Sequence, residues 1–119
     1  AEKSAYDLYL SRHIRHAQLV RAQGIDASYG IFVGDQLEAL SGLKPRLVLD
    51  AAKLPGSRVL EGQFTAIQQA IGTPVGRGAA ARYLREFVED AKAAGIVAAA
   101  IARHGVRGVT VAPASSPDR

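Results

Sequence analysis

The segment at residues 2–10 reads Glu2-Lys3-Ser4-Ala5-Tyr6-Asp7-Leu8-Tyr9-Leu10, and its pattern is typical of the start of a capped helix. Ser4 stands at the N-cap, Asp7 completes the Ser-x-x-Asp form of the capping box, and an apolar run follows. The first amide N–H groups of a helix have no partner within it, and the helix dipole makes that end electropositive. Ser4 and Asp7 can satisfy these donors themselves. Alternatively the donors can bind a carboxylate or phosphate, with Lys3 adding a positive charge.

The composition limits the classes of protein to which the chain can belong. Its 119 residues are 48% hydrophobic, which is enough for one domain with an apolar core. The absence of cysteine excludes disulfides and thiolate metal sites. The net charge of +4 comes from scattered basic residues, and only 6% of the residues are aromatic, so no nucleic-acid partner is predicted. No segment has the pattern of a membrane span.

Segments typical of strands and of helices alternate along the chain. Short runs of alternating polarity predict strands at 17–21, 37–40, 58–60 and 64–67. Helical spacing predicts three helices with clear bounds, over 5–13, 43–53 and 96–103. A further helix is predicted from an N-cap at Asp26 to about residue 34. Another is predicted after a loop at 72–78 and includes Tyr83 and Ala91. Gly95 is predicted to be a C-cap or a kink. This alternation predicts an α/β fold with a largely parallel sheet.

The motifs that would indicate catalysis or metal binding are incomplete. The glycine-rich loop at 72–78 lacks the Gly-Lys-Ser/Thr ending of a phosphate-binding loop. His13 and His16 are three residues apart and could share one helix face, with His104 as a third candidate ligand, but no acidic residue stands beside the pair. No serine lies in a Gly-x-Ser-x-Gly motif. We therefore predict no catalytic residue, no metal and no cofactor, and the chain is not expected to be an enzyme.

The order of the segments indicates a family more clearly than any one motif. The segments are Ser4-Ala5-Tyr6-Asp7-Leu8, Val33-Gly34-Asp35-Gln36-Leu37-Glu38-Ala39-Leu40, Phe64-Thr65-Ala66-Ile67, Arg82-Tyr83-Leu84-Arg85-Glu86-Phe87-Val88, Gly95-Ile96-Val97 and Ala102-Arg103-His104-Gly105. Taken in this order, over about residues 1–112, they resemble the second half of a bacterial extracellular solute-binding protein of family 3. These proteins are the type 2 periplasmic receptors of ABC importers for amino acids and related small polar solutes.

The resemblance implies a fold and a division of the chain. The fold is an α/β three-layer sandwich lobe of a type 2 periplasmic binding protein, followed by C-terminal helices. Residues 1–71 would be the ligand-binding segment of the second lobe, and residues 72–112 a hinge-proximal loop with the C-terminal helices. Residues 113–119 are predicted to be a disordered tail. In this family two lobes close over the ligand, and the higher affinity of the closed state drives the motion without chemistry on the ligand.

The resemblance also implies where the ligand binds. In the family, a helix start in the second lobe holds the carboxylate of the ligand with its N–H groups, and Lys3-Ser4-Ala5-Tyr6 matches that position. Receptors for amino acids commonly place an acidic residue where this chain has Ser41-Gly42-Leu43-Lys44. We count Gly42 and Lys44 as further candidate ligand-binding residues. Because no carboxylate is present there, Lys44 favours an anionic solute or one without an ammonium group.

The expected function is that of a piece of the substrate-binding component of an ABC importer, located in the periplasm. Its partners would be a small polar solute, carrying a carboxylate as amino acids do, and the membrane permease. The alternative is the effector-sensing domain of a LysR-type transcription regulator, which shares the two-lobed fold. The first lobe and the strand leading into Ser4 would lie outside this sequence. The sheet would then expose an edge, which predicts a homodimer, with exchanged C-terminal helices as one form.

Overall fold

The computed structural model describes residues 1–116, and these residues form five α-helices joined by segments without regular structure. The helices are α1 (Ala5–His13), α2 (Ile25–Gly34), α3 (Lys44–Lys53), α4 (Gly78–Ala93) and α5 (Ile96–Arg103). The chain divides into two compact units, Ala1–Ile67 with α1 to α3 and Gln68–Arg119 with α4 and α5. Of the predicted disordered tail, residues 117–119 lie outside the described part of the chain.

The predicted α/β sandwich lobe is wrong, because residues 1–116 contain no β-strand and therefore no sheet. The four segments predicted as strands have suitable polarity, but a strand is stable only when it pairs with a neighbour and buries one face. In the structure Val20, Leu60 and Phe64 from these segments are 47%, 64% and 45% exposed. The apolar face that would hold a sheet together is therefore not buried. The sheet edge on which the dimer prediction rested is also absent from the described residues.

The helix predictions are largely confirmed. α1 and α5 have the predicted bounds, and α3 begins one residue later than predicted, at Lys44 with Leu43 as its N-cap. Pro45 lies in the first turn of α3, where its missing N–H costs no helical hydrogen bond. The N-cap of α2 is Gly24, so Asp26 lies in the first turn instead of at the cap. The Asp26 carboxylate still stabilises α2, because it lies near the electropositive end of the helix.

Helices α4 and α5 pack against each other as a hairpin. The corner is made at Gly95, which follows the C-cap Ala94 of α4 and is itself the N-cap of α5. Gly95 has a φ of +75°, a backbone conformation that glycine adopts without strain. Its N–H donates to the Lys92 carbonyl at 3.1 Å, which closes the last turn of α4. Gly95 is thus a junction between two helices, in line with its prediction as a cap.

The described residues bury very little side-chain surface. Tyr6 is 6% exposed and Asp50 is 3% exposed, and every other described residue is more exposed than these two. A folded monomer of this length is expected to expose about 6,200 Å², whereas this chain exposes 9673 Å². The sequence has the apolar content for a core, but the structure leaves most of it at the surface. None of the helices α1 to α5 combines the length and apolar character needed to span a bilayer.

Candidate functional site

The start of α1 is organised by hydrogen bonds of Ser4 and Asp7 with each other and with the residues before the helix. The Asp7 N–H donates to Ser4 Oγ at 3.0 Å, and the Ser4 hydroxyl donates to the Ala1 carbonyl at 2.7 Å. In return, Asp7 Oδ2 accepts the N–H of Lys3 at 3.0 Å. The predicted capping interaction is therefore confirmed, although the acid reaches Lys3 rather than the N–H of Ser4. Lys3 has a φ of 59°, which non-glycine residues rarely adopt, and the bond to Asp7 holds it there.

Arg21 completes this cluster from the segment after α1. Its Nε donates to Asp7 Oδ1 at 2.8 Å and its Nη2 donates to Ser11 Oγ at 2.7 Å. Partial desolvation alone would raise the pKa of Asp7, but the hydrogen bonds from Arg21 and the Lys3 amide lower it below its ordinary value. Asp7 is therefore ionised at neutral pH. Sequence reasoning missed Arg21, because nothing in the local pattern links it to a helix start 14 residues earlier.

A crevice of about 430 Å³ lies against this helix start. It is lined by Glu2, Lys3, Ser4, Ala5, Asp7, Leu8, Ser11 and Arg21. The N–H groups of Ala5 and Tyr6 donate to no acceptor within residues 1–116, so two main-chain donors of the first turn remain unbonded, and Ala5 is the one of the two that lines the crevice. The Tyr6 side chain is buried and is not part of the lining. The lining contains two basic and two acidic side chains, so the crevice offers polar groups of both signs with little net charge.

The structure does not bring Gly42 and Lys44 to this crevice. Lys44 is the first residue of α3, and neither residue is part of the crevice lining. A Cβ at position 42 would lie 3.3 Å from Leu47 Cδ2, so Gly42 allows the Leu47 side chain to approach the backbone. Gly42 therefore has a packing role in this structure. Because Lys44 does not line the crevice, it does not favour an anionic solute at this site.

A second polar cluster ties the start of α2 to α3. Arg46 Nε donates to both oxygens of Asp50, each at 2.9 Å, and Arg46 Nη2 donates to Asp26 Oδ1. These two carboxylates, Asp26 first, raise the pKa of Arg46 above its already high ordinary value. Asp50 is almost fully buried, and Arg46 supplies its counter-charge. The arrangement is a closed ion-pair network with a structural role.

A third cluster joins the segment after α5 to α4. Lys92 Nζ donates to Glu89 Oε1 at 2.8 Å and to the Pro113 carbonyl at 2.9 Å. Glu89 also accepts the hydroxyl of Ser115 at 2.9 Å and its N–H at 3.2 Å. These bonds, from Lys92 and then from the Ser115 hydroxyl, lower the pKa of Glu89. Residues 113–115 are therefore attached to α4 through Lys92, which binds Pro113, and through the ionised carboxylate of Glu89, which binds Ser115.

The three histidines form no common site in the described part of the chain. His13 stacks on Tyr9 with ring centroids 3.9 Å apart, and a ring nitrogen of His13 lies 2.7 Å from the Tyr9 carbonyl. Within residues 1–116, no three His, Cys, Asp or Glu side chains converge in a way that could hold a metal ion. The chain matches no protein-family model, curated protein or solved structure with which it was compared. Any assignment of function therefore depends on the crevice at α1 and on the sequence resemblance.

Proposed function

We propose that this chain contributes the ligand-holding helix start of a periplasmic substrate-binding component of an ABC-type importer. The solute is small and polar and carries a carboxylate, as amino acids do. The observation that carries the proposal is the crevice at α1, which occupies the position where the family resemblance places the contact with the carboxylate of the ligand. The resemblance at residues 3–6 and the geometry of α1 concern the same helix start, whereas the strands that the resemblance also implied are absent from residues 1–116.

The chemistry of the crevice supports a zwitterion over a plain anion. The amide of Ala5 is a free donor for a carboxylate at the electropositive end of the helix. Arg21 and Lys3 add positive charge, while Asp7 and Glu2 offer acceptors for an ammonium group. Since Asp7 is held by Arg21 and Lys3, its charge is partly compensated and opposes a bound carboxylate less. A dicarboxylate would leave the acidic part of the lining without a partner.

Binding in this proposal involves no reaction of the solute. The chain would provide one side of the site, and a membrane permease would be the partner that receives the solute. Closure of further protein around the crevice would remove water and strengthen the hydrogen bonds to the main-chain amides. By itself the chain is expected to bind weakly, because the crevice is largely open to solvent.

The decisive experiment removes one main-chain donor and leaves the helix in place. Proline is favoured at the first helical position, and Ser4 already has the extended ψ of 162° that a following proline requires. We expect Ala5→Pro to retain the helix content of the wild type, as measured by circular dichroism. Binding of glycine or glutamate should weaken about tenfold, because the variant loses one charge-assisted hydrogen bond. The measurement is isothermal titration calorimetry, with succinate as the comparison ligand.

The matched control is Ile25→Pro, at the first position of α2, which lies outside the crevice and follows Gly24, whose ψ of 171° is compatible with a following proline. This variant should bind as the wild type does. Equal binding by Ala5→Pro and the wild type would contradict the proposed site. Tighter binding of succinate than of glutamate would contradict the proposal that the solute is a zwitterion. Binding of an effector coupled to DNA-linked activity would favour the alternative function, the effector-sensing domain of a transcription regulator.

A further inference from the structure

The outer face of α4 carries two exposed aromatic side chains. Tyr83 is 67% exposed and Phe87 is 54% exposed, and their rings stack with centroids 6.5 Å apart. They lie one helical turn apart, and at 100° per residue the small side chains of Ala79 and Ala80 fall on the same face, one turn earlier. The half-buried residues Leu84 and Val88 form a neighbouring stripe. Soluble proteins rarely leave a continuous apolar face of this kind in water without a partner.

The charged residues that flank this face are arranged so that they complement a second copy of the same helix. Arg82 and Glu86 lie on one flank of the face, in the first and second half of α4, and Asp90, seven residues after Tyr83, lies at the C-terminal end of the face itself. None of the three forms an ion pair with another residue among 1–116. When two copies of a helix pair antiparallel, a given flank of one copy lies beside the same flank of the other copy. The two chains run in opposite directions along this contact. Each Arg82 would then face Glu86 and Asp90 of the other copy, and this contact would occur twice.

We propose that the face of α4 formed by Ala79, Ala80, Tyr83 and Phe87 is the interface of a homodimer in which two α4 helices pair antiparallel. Tyr83 of each copy lies against Phe87 of the other, and the small alanines allow the helices to approach closely. The chain exposes roughly 3,500 Å² more than a folded monomer of its length, and a standard interface needs about 800 Å² per partner. The excess belongs to the whole chain, and the charges beside the α4 face are the observation that indicates a second copy of this chain as its occupant.

The first test removes the apolar contact and leaves α4 in place. Sedimentation equilibrium of the wild-type chain should show a monomer–dimer equilibrium. The double variant Tyr83→Ser with Phe87→Ser should raise the dissociation constant at least about tenfold, because aromatic anchors carry most of the energy of such interfaces. Val75→Ser is the matched control, since Val75 is fully exposed in the loop before α4 and should leave the equilibrium unchanged.

The second test uses charge reversal and does not depend on the aromatic residues. Arg82→Glu alone should weaken the dimer, and so should Glu86→Arg with Asp90→Arg, because each places like charges opposite each other. A mixture of these two variants should form a heterodimer at least as tight as the wild-type dimer, since both sets of contacts then join opposite charges. Arg107→Glu, an exposed charge reversal outside α4, should have no effect.

The proposal fails if the wild-type chain remains a monomer throughout the concentration range. It also fails if the chain dimerises with the same affinity after substitution of both aromatic residues, or if the two charge variants do not prefer each other. Restored pairing in the mixture supports the antiparallel arrangement specifically, because in a parallel pair the flank that carries Arg82 would face the opposite flank of the other copy and would not meet Glu86. These outcomes are independent of solute binding at α1, so either proposal can fail without the other.

Discussion

Asp7 connects three parts of the first unit through one carboxylate. It accepts from the Lys3 amide and from Arg21, while its own N–H is bound by Ser4. The sequence indicated the bond to Ser4, because a capping box is defined by spacing along the chain. The contact with Arg21 could not be predicted in this way, since it depends on the path that residues 14–20 take after α1. The charge balance of the crevice therefore became visible only in the structure.

The pKa of Asp7 predicts a pH dependence at this site. A carboxylate whose pKa is lowered on folding stabilises the structure fully above its unfolded value of about 3.9, and the contribution is lost as pH falls through the lower folded value. We expect the Lys3 amide and Arg21 Nε–H signals to titrate together, with a midpoint below that ordinary value, in NMR spectra recorded as a function of pH. Asp7→Asn should abolish this transition.

Asp35→Asn serves as the control, because Asp35 is exposed at the end of α2 and accepts no side-chain bond within residues 1–116. This variant should leave the Lys3 titration unchanged. A midpoint at or above the ordinary value would show that Arg21 and Lys3 do not hold Asp7 in solution.

At the level of elements, the difference between helices and strands explains which predictions were confirmed. The evidence for α1 and α5 was local, namely a capping residue, helical spacing and a glycine at the end, and a helix forms its hydrogen bonds within its own segment. The alternation at 17–21 and 58–60 is a necessary feature of a strand but not a sufficient one. A strand obtains its hydrogen bonds from another segment, and local sequence does not say whether that segment is in reach.

Arg46 is the residue that joins two of these elements, and its removal gives a test at this scale. Arg46→Gln leaves the buried carboxylate of Asp50 without its counter-charge, so α3 should be destabilised far more than by Arg58→Gln at an exposed position. The measurement is amide hydrogen exchange along α3. We expect the pair Arg46→Met with Asp50→Leu to recover most of the protection, because apolar residues of similar size can replace a buried ion pair. Equal exchange in Arg46→Gln and Arg58→Gln would contradict a structural role for the network.

For the whole molecule, the important quantity is the apolar surface that remains in water. The composition satisfies the requirement for a core, yet Tyr6 is the one apolar side chain among residues 1–116 that is buried below a tenth of its area. Composition measures how much apolar surface a chain has, and it does not say whether the elements needed to cover that surface are present in the same chain. The chain is therefore expected to gain much of its stability from association.

This expectation can be measured by calorimetry. A well-packed domain of this length should unfold with a heat capacity change of about 1.6 kcal/mol/K, and at low concentration this chain should show a distinctly smaller value. The midpoint temperature should rise with protein concentration, because dimerisation stabilises the folded state by mass action. The double variant Tyr83→Ser with Phe87→Ser should lose the concentration dependence. A full heat capacity change in dilute solution would mean that the core is larger than the burial of these residues indicates.

The corner at Gly95 has a consequence for which residues can occupy that position. No atom lies within 4 Å of where a Cβ would be built, so a methyl group would meet open space. The obstacle to L-alanine is the φ of +75° itself. A D-alanine introduced by chemical synthesis would adopt this backbone without strain and would stiffen the link between the two helices. The backbone conformation at residue 95, and not a lack of space for a side chain, therefore disfavours L-amino acids other than glycine at this position.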